Sequence, residues 1–209
     1  MAAALAAALL PMAAAASEPF YVQVTLGGKG IPDGTAFTLE VLPEWAPVGA
    51  ARFRTLVEAA FYDDTRFFRV LDGMYDIYIA QFGIGATPAI HERWGAPVRD
   101  DPVKASNVRG TLSFAMSGPN TRTTQLFLNT GDSSKVLDGD FAPIARVVSG
   151  IEAIDKIYVV GEGSPKGKGP QQHQITTQGN AYLDREFPDL TRVVSARLVD
   201  APPDVAREL

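Results

Sequence analysis

Short segments in which apolar and polar residues alternate dominate the chain from residue 20 onward, and this period of two constrains the fold more than any other feature. Every second residue is apolar in segment 20–26, and the alternation returns at 37–41 after the turn Pro32-Asp33-Gly34. Such alternation is typical of half-buried strands. Further strands are predicted at residues 66–71, 78–82, 111–116, 125–129, 144–148, 174–178 and 192–199.

Helical spacing interrupts this pattern at two places. The first helix opens with Pro47 in its first turn, and the second begins at Ser149 with a capping-box spacing. The residues expected to face inward are Phe53, Leu56, Val57 and Ala60 in the first helix and Ile151, Ile154, Ile157 and Tyr158 in the second. Many short strands with two isolated helices predict a mainly β fold, a closed antiparallel β-barrel whose open ends the helices cover.

Composition narrows the function classes. A chain of 209 residues with 46% hydrophobic content fits one globular domain, and its net charge of −5 argues against nucleic acid as a partner. The absence of cysteine excludes disulfides, thiolate catalysis and cysteine-based zinc sites. With only two histidines, a histidine-rich metal site is disfavoured as well.

Both ends of the chain differ from the middle. The first sixteen residues are almost entirely alanine and leucine, too short for a comfortable membrane span and similar to the core of a signal peptide, although no basic residue follows Met1. We therefore predict a leader at 1–17 and export of the protein, with an alanine-rich tract in a cytoplasmic protein as the alternative. The domain is expected at 18–200, followed by a polar tail at 201–209.

A glycine-, proline- and lysine-rich segment at 161–172 interrupts the strand pattern. We predict a mobile loop there. Its Gly167-Lys168 pair lacks the glycine spacing and the following Ser or Thr of a phosphate-binding loop, so phosphate binding is disfavoured.

One cation lies in an aromatic run, Phe67-Phe68-Arg69-Val70, and amide side chains follow in Ile79-Ala80-Gln81-Phe82-Gly83 and Gln125-Leu126-Phe127. Taken alone, Arg69 is an ordinary strand arginine that lays its stem on apolar neighbours. Together with Leu137-Asp138-Gly139, however, these motifs closely resemble the active strands of cyclophilins, the cyclosporin-binding peptidyl-prolyl cis-trans isomerases. The resemblance covers roughly residues 20–199.

This resemblance implies an eight-stranded barrel with two capping helices and an isomerase that acts on Xaa-Pro bonds of flexible, proline-containing polypeptides. The reaction needs no cofactor or metal, and we expect a monomer because nothing in the sequence suggests an obligate assembly. Arg69 would be the catalytic arginine and Gln81 its support. The implied substrate contacts are Gln125, Phe127 as the floor of the proline pocket, Leu137 on its wall, and Ala115 through its backbone.

Several positions depart from the family's pattern. Met116 stands where most members have asparagine, Val136 where they have tryptophan, and Phe141 where a histidine often lines the proline pocket. Extra residues between Arg69 and Gln81 leave either Met74 or Tyr78 to complete the pocket, and Tyr78, three residues before Gln81, is the better placed. We expect a more apolar site, slower or narrower turnover, and weak cyclosporin binding because the indole is missing.

Two other functions stay open at this point. A non-catalytic module could use the same groove to hold proline-containing segments, and would not depend on Arg69 for a rate. A structural barrel with an inactive groove could use loop 161–172 or the tail as its interface.

Overall fold

Eight antiparallel strands form one continuous sheet in the computed structural model, which describes residues 18–203. The predicted leader and the last six residues of the predicted tail lie outside this range. The strands are β1 Phe20–Gly27, β2 Ala36–Val41, β3 Arg69–Met74, β4 Ile77–Phe82, β5 Thr111–Phe114, β6 Leu126–Asn129, β7 Pro143–Ser149 and β8 Arg192–Val199. Their order across the sheet is β3-β4-β6-β5-β7-β2-β1-β8.

Six helical segments accompany the sheet in the described range, so the expectation of two is wrong. They are α1 Pro47–Glu58, α2 Pro88–Arg93, α3 Ser134–Leu137, a 3-10 helix Ile151–Lys156, α4 Gln172–Gln178 and α5 Asn180–Glu186. Helix α4 replaces the predicted strand at 174–178. Its β-branched residues suggested a strand, but Ile175 packs with Leu183 of α5 and with Phe68 in a small separate core, and tertiary packing overrides the weak propensity.

The main core lies between the inner face of the curled sheet and α1. The alternating apolar residues of β1 are all buried, which confirms the predicted strand. In α1 the predicted face is confirmed for Phe53, Leu56 and Val57, whereas Ala60 is exposed beyond the helix end with a left-handed φ of 52°.

The 3-10 helix confirms only half of the inward face predicted for the second helix. Ile154 and Ile157 are buried, but Ile151 and Tyr158 are 38% and 47% exposed. The prediction assumed 3.6 residues per turn, whereas a 3-10 helix has three and turns the flanking residues differently.

The sheet is open, so the prediction of a closed barrel is wrong. Its edge strands β3 and β8 do not pair with each other. Only the segment just before β3 reaches β8, through hydrogen bonds such as Asp64 N to Val193 O (2.8 Å) and Phe67 N to Thr191 O (2.9 Å). Beyond that point the outer edge of β3 is taken by Gly161, whose N–H donates to Val70 O at 3.0 Å. The loop therefore occupies the position that a closing strand would need.

A buried ion pair anchors the start of α1. The carboxylate of Asp101 accepts hydrogen bonds from the backbone N–H groups of Val48 (3.0 Å) and Gly49 (2.8 Å) and from Nη2 of Arg122 (3.0 Å). Both charged side chains are almost fully buried, at 2% and 4% exposure. A carboxylate at a helix N-terminus satisfies otherwise unpaired donors.

Within the described residues, no helix has the length and apolarity to cross a membrane.

Candidate active site

Arg69 and Gln81 lie side by side because their strands pair in register. They are direct partners in the antiparallel β3–β4 ladder, so their side chains point to the same face of the sheet. Nη1 of Arg69 donates to Oε1 of Gln81 at 3.1 Å. Gln81 is only 6% exposed, which keeps its amide in a fixed place beneath the guanidinium. The structure thus brings together the two residues predicted as catalytic.

Gln125 extends this chain of polar side chains. Nε2 of Gln81 donates to Oε1 of Gln125 at 2.9 Å, just before β6 begins at Leu126. The backbone N–H of Ala115 donates to the carbonyl of Gln125 at 2.9 Å, which holds the end of β5 against the same point. Arg69, Gln81 and Gln125 therefore form one hydrogen-bonded row across three strands.

An apolar cluster separate from the main core lies beside this row. Phe127, Leu137, Leu71 and Ile79 are buried within it, and Phe141 packs on its edge. The rings of Phe127 and Phe141 meet edge to face, with centroids 5.4 Å apart at an interplanar angle of 79°. Such aromatic pairs are favourable and leave a ring face free to contact a ligand.

The polar row and the apolar cluster line one cleft of about 410 Å³. Eight residues predicted from the sequence line it: Arg69, Gln81, Ala115, Met116, Gln125, Phe127, Leu137 and Phe141. Val136, which stands at the family's tryptophan position, is 45% exposed on α3 and is not among the lining residues. Met116 and Phe141, the two other departures from the family's pattern, do line the cleft.

The structure does not place Met74 or Tyr78 in the cleft. Met74 lies at the tip of the β3–β4 hairpin and is 40% exposed. Tyr78 packs against Gly131 and lines a different surface depression. Successive residues of a strand face opposite sides, so a residue three positions before Gln81 points away from it. Ile77 and Ile79, which share the face of Gln81, line the cleft instead.

Glu162 is a site residue that sequence reasoning missed. It comes from the loop predicted to be mobile, yet its carboxylate pairs with Arg69, with Oε2 2.8 Å from Nη2. The hydrogen bonds from Arg69 hold the pKa of Glu162 below its ordinary value, so the carboxylate is ionised at neutral pH. The available signal was an acidic residue between two glycines in an otherwise basic segment.

The described residues contain no cluster of three or more metal-binding side chains. The cleft's own chemistry consists of one guanidinium, amide groups, hydroxyls and an apolar wall. Such a set can orient a peptide backbone and hold an apolar ring, and it contains no candidate nucleophile activated by a neighbouring base.

Comparison with known proteins identifies the family and agrees with this mainly β fold. The model of the cyclophilin type peptidyl-prolyl cis-trans isomerase/CLD family matches residues 21–189. The chain belongs to this family. A solved structure, the cyclophilin type peptidyl-prolyl cis-trans isomerase of Cryptosporidium parvum, superposes with a TM-score of 0.61 and covers 88% of this chain and 100% of its own. At 17% identity, that similarity concerns the fold alone.

Curated relatives match a shorter part of the chain. A peptidyl-prolyl cis-trans isomerase of Acinetobacter baylyi is 30% identical over 125 residues, and a probable one of Brucella abortus is 32% identical over 127 residues. In both cases the match covers 57% of this chain and 64% of the relative. The matched region thus spans somewhat less than two thirds of these relatives' length.

Proposed function

We propose that this chain is a peptidyl-prolyl cis-trans isomerase that acts on Xaa-Pro bonds in flexible polypeptides. The observation that carries the proposal is the guanidinium of Arg69, bonded to Gln81 at 3.1 Å in a cleft that Phe127, Leu137 and Phe141 also line. Family membership and relatives that bear this activity as their name support it.

The reaction needs no covalent chemistry. The barrier to rotation about a peptide bond is amide resonance, about 18–20 kcal/mol, and uncatalysed Xaa-Pro exchange takes tens to hundreds of seconds. In the twisted transition state the nitrogen lone pair is no longer conjugated with the carbonyl and becomes a hydrogen-bond acceptor. A fixed guanidinium can donate to that nitrogen only in the twisted state, so the interaction lowers the barrier without stabilising the planar substrate.

Of the remaining residues, some would hold the proline ring and others would bind the backbone of the substrate peptide. Phe127, Leu137 and Phe141 provide an apolar pocket for the pyrrolidine ring, which Ile79 completes from β4. The amide of Gln125 and the backbone of Ala115 would bind the peptide chain, since both residues line the same cleft. Fixing the ring while the preceding carbonyl turns confines the motion to the bond that must rotate.

The proposed partners are proline-containing segments of unfolded or flexible chains, bound by a monomer without cofactor. Export by the leader at 1–17 would bring the enzyme to folding polypeptides outside the cytoplasm. The leader itself lies outside the residues that the structure describes.

The test is NMR exchange spectroscopy on a short Xaa-Pro peptide with catalytic amounts of the wild-type protein. The proposal predicts exchange cross-peaks between cis and trans resonances on a timescale of a second or less, where the free peptide shows none. Shifts of the peptide resonances without faster exchange would identify the non-catalytic proline-binding module instead. A peptide in which alanine replaces proline serves as the binding control.

A further inference from the structure

The carboxylate of Glu162 binds the guanidinium of Arg69 side-on, through Nε and Nη2. Nε of Arg69 lies 2.9 Å from both Oε1 and Oε2, and Nη2 lies 2.8 Å from Oε2. The pair is largely withdrawn from solvent, with 23% of the arginine side chain and 13% of the glutamate side chain exposed. A planar guanidinium held by two parallel bonds has a defined orientation, unlike a loosely paired surface cation.

Glu162 is itself fixed by the backbone around it. The N–H of Gly163 donates to its Oε1 at 2.9 Å, and the N–H of Gly169 donates to its carbonyl oxygen at 2.9 Å. The preceding residue, Gly161, pairs with Val70 in β3, one position after Arg69. The loop is therefore tied to the same strand that carries the arginine, and the carboxylate has little freedom to leave.

The bonding pattern leaves part of the guanidinium available. Of five N–H groups, Glu162 engages Nε–H and one on Nη2, and Gln81 engages one on Nη1. The two that remain, one on each terminal nitrogen, have no acceptor among the described residues. Because Glu162 occupies the side formed by Nε and Nη2, the free N–H of Nη2 lies at the outer end of the guanidinium, where it can donate to a substrate.

We propose that Glu162 is a positioning residue for Arg69: it holds the side of the guanidinium so that its outer end is presented to the substrate in one orientation. This inference rests on the isomerase activity proposed above. It adds a loop residue, outside the strands of the sheet, to the groups on which the rate depends. A donor that is already oriented costs no reorganisation when the bond twists.

The test compares Glu162→Gln with wild type, with Glu152→Gln as the matched control because Glu152 is an exposed residue of the 3-10 helix. Glutamine keeps the size of the side chain but cannot accept both bonds and carries no charge. We expect kcat to fall about tenfold, the loss of one charged hydrogen bond. KM should stay within about twofold, because orientation matters mainly in the transition state.

Two further measurements separate positioning from a structural effect. In an Arg69→Lys background, where no side-on pair can form, Glu162→Gln should change kcat less than twofold, since the two residues act as a unit. The Nε–Hε signal of Arg69 in NMR spectra should be protected from solvent exchange in wild type and in Glu152→Gln, and lost in Glu162→Gln.

The two proposals fail in distinguishable ways. An active wild type whose Glu162→Gln variant is equally fast or faster would overturn the positioning role, and acceleration would show that the pair restrains Arg69 against catalysis. An equal tenfold loss in the Arg69→Lys background would also overturn it. If the wild type itself does not accelerate exchange, the proposed function fails, and the Nε–Hε signal alone then decides whether Glu162 orients Arg69.

Discussion

Replacing Gln81 by leucine should separate the rate of isomerisation from the stability of the fold. The change removes the bond from Nη1 of Arg69 (3.1 Å) and the bond to Gln125 (2.9 Å) while nearly preserving side-chain volume. Of these, the bond to the charged arginine is the stronger, about 1.5–3 kcal/mol. At about 1.4 kcal/mol per factor of ten, kcat/KM should fall about 10- to 100-fold. NMR exchange on an Xaa-Pro peptide measures this directly.

The matched control is Gln23→Leu, the same substitution at an exposed position of β1. Both variants should unfold within about 1 kcal/mol of wild type in urea, because leucine at position 81 adjoins the apolar residues Ile79 and Phe127 in the cleft. If Gln81→Leu kept full activity, the hydrogen-bonded row would not orient Arg69 for catalysis. A loss of activity matched by a large loss of stability would likewise refute the reasoning.

Three further measurements test other parts of the structure. Asp101→Asn should lower the free energy of unfolding by about 3 kcal/mol in urea titrations, because it breaks the buried pair with Arg122; an unchanged midpoint would contradict that. Gly167→Ala should lower kcat at least tenfold with little change in melting temperature, because the new Cβ would overlap the carbonyl of Glu162 and displace it by about 1 Å. Calorimetry should find only weak cyclosporin binding, because the exposed Val136 supplies no indole to the site; submicromolar affinity in wild type would refute this.

The predictable part of the fold lies where local pattern and tertiary packing agree. Strand β1 and helix α1 have one apolar face each, and both pack that face into the main core. Segment 174–178 had the composition of a strand but no neighbouring strand to pair with. It instead packs as a short helix against α5, an outcome that depends on contacts distant in sequence.

In the candidate site too, some residues could be predicted from local sequence pattern, whereas others depend on contacts distant in sequence. Arg69, Gln81 and Phe127 belong to paired strands, and motif resemblance located them because their spacing follows the ladder. The prediction that Tyr78 lines the pocket is wrong because it considered only the distance in sequence from Gln81. Residues an odd number of positions apart on a strand face opposite sides, so Tyr78 and Gln81 cannot line the same cleft. Glu162 could not be located, since loop 161–172 reaches Arg69 only through the gap left by the open sheet. The acidic residue between two glycines marked Glu162 as unusual, but no local feature of the sequence shows that it pairs with a residue 93 positions away.

The central claim is that Arg69 acts on the transition state rather than on binding, and kcat and KM of Arg69→Ala for an Xaa-Pro peptide test it most directly. The account predicts that kcat falls by about 10²–10³, as when an enzyme loses one preorganised donor. KM should stay within a few-fold of wild type, because Phe127, Leu137 and Phe141 still hold the proline ring. A variant that binds the peptide and isomerises it as fast as wild type would contradict the account.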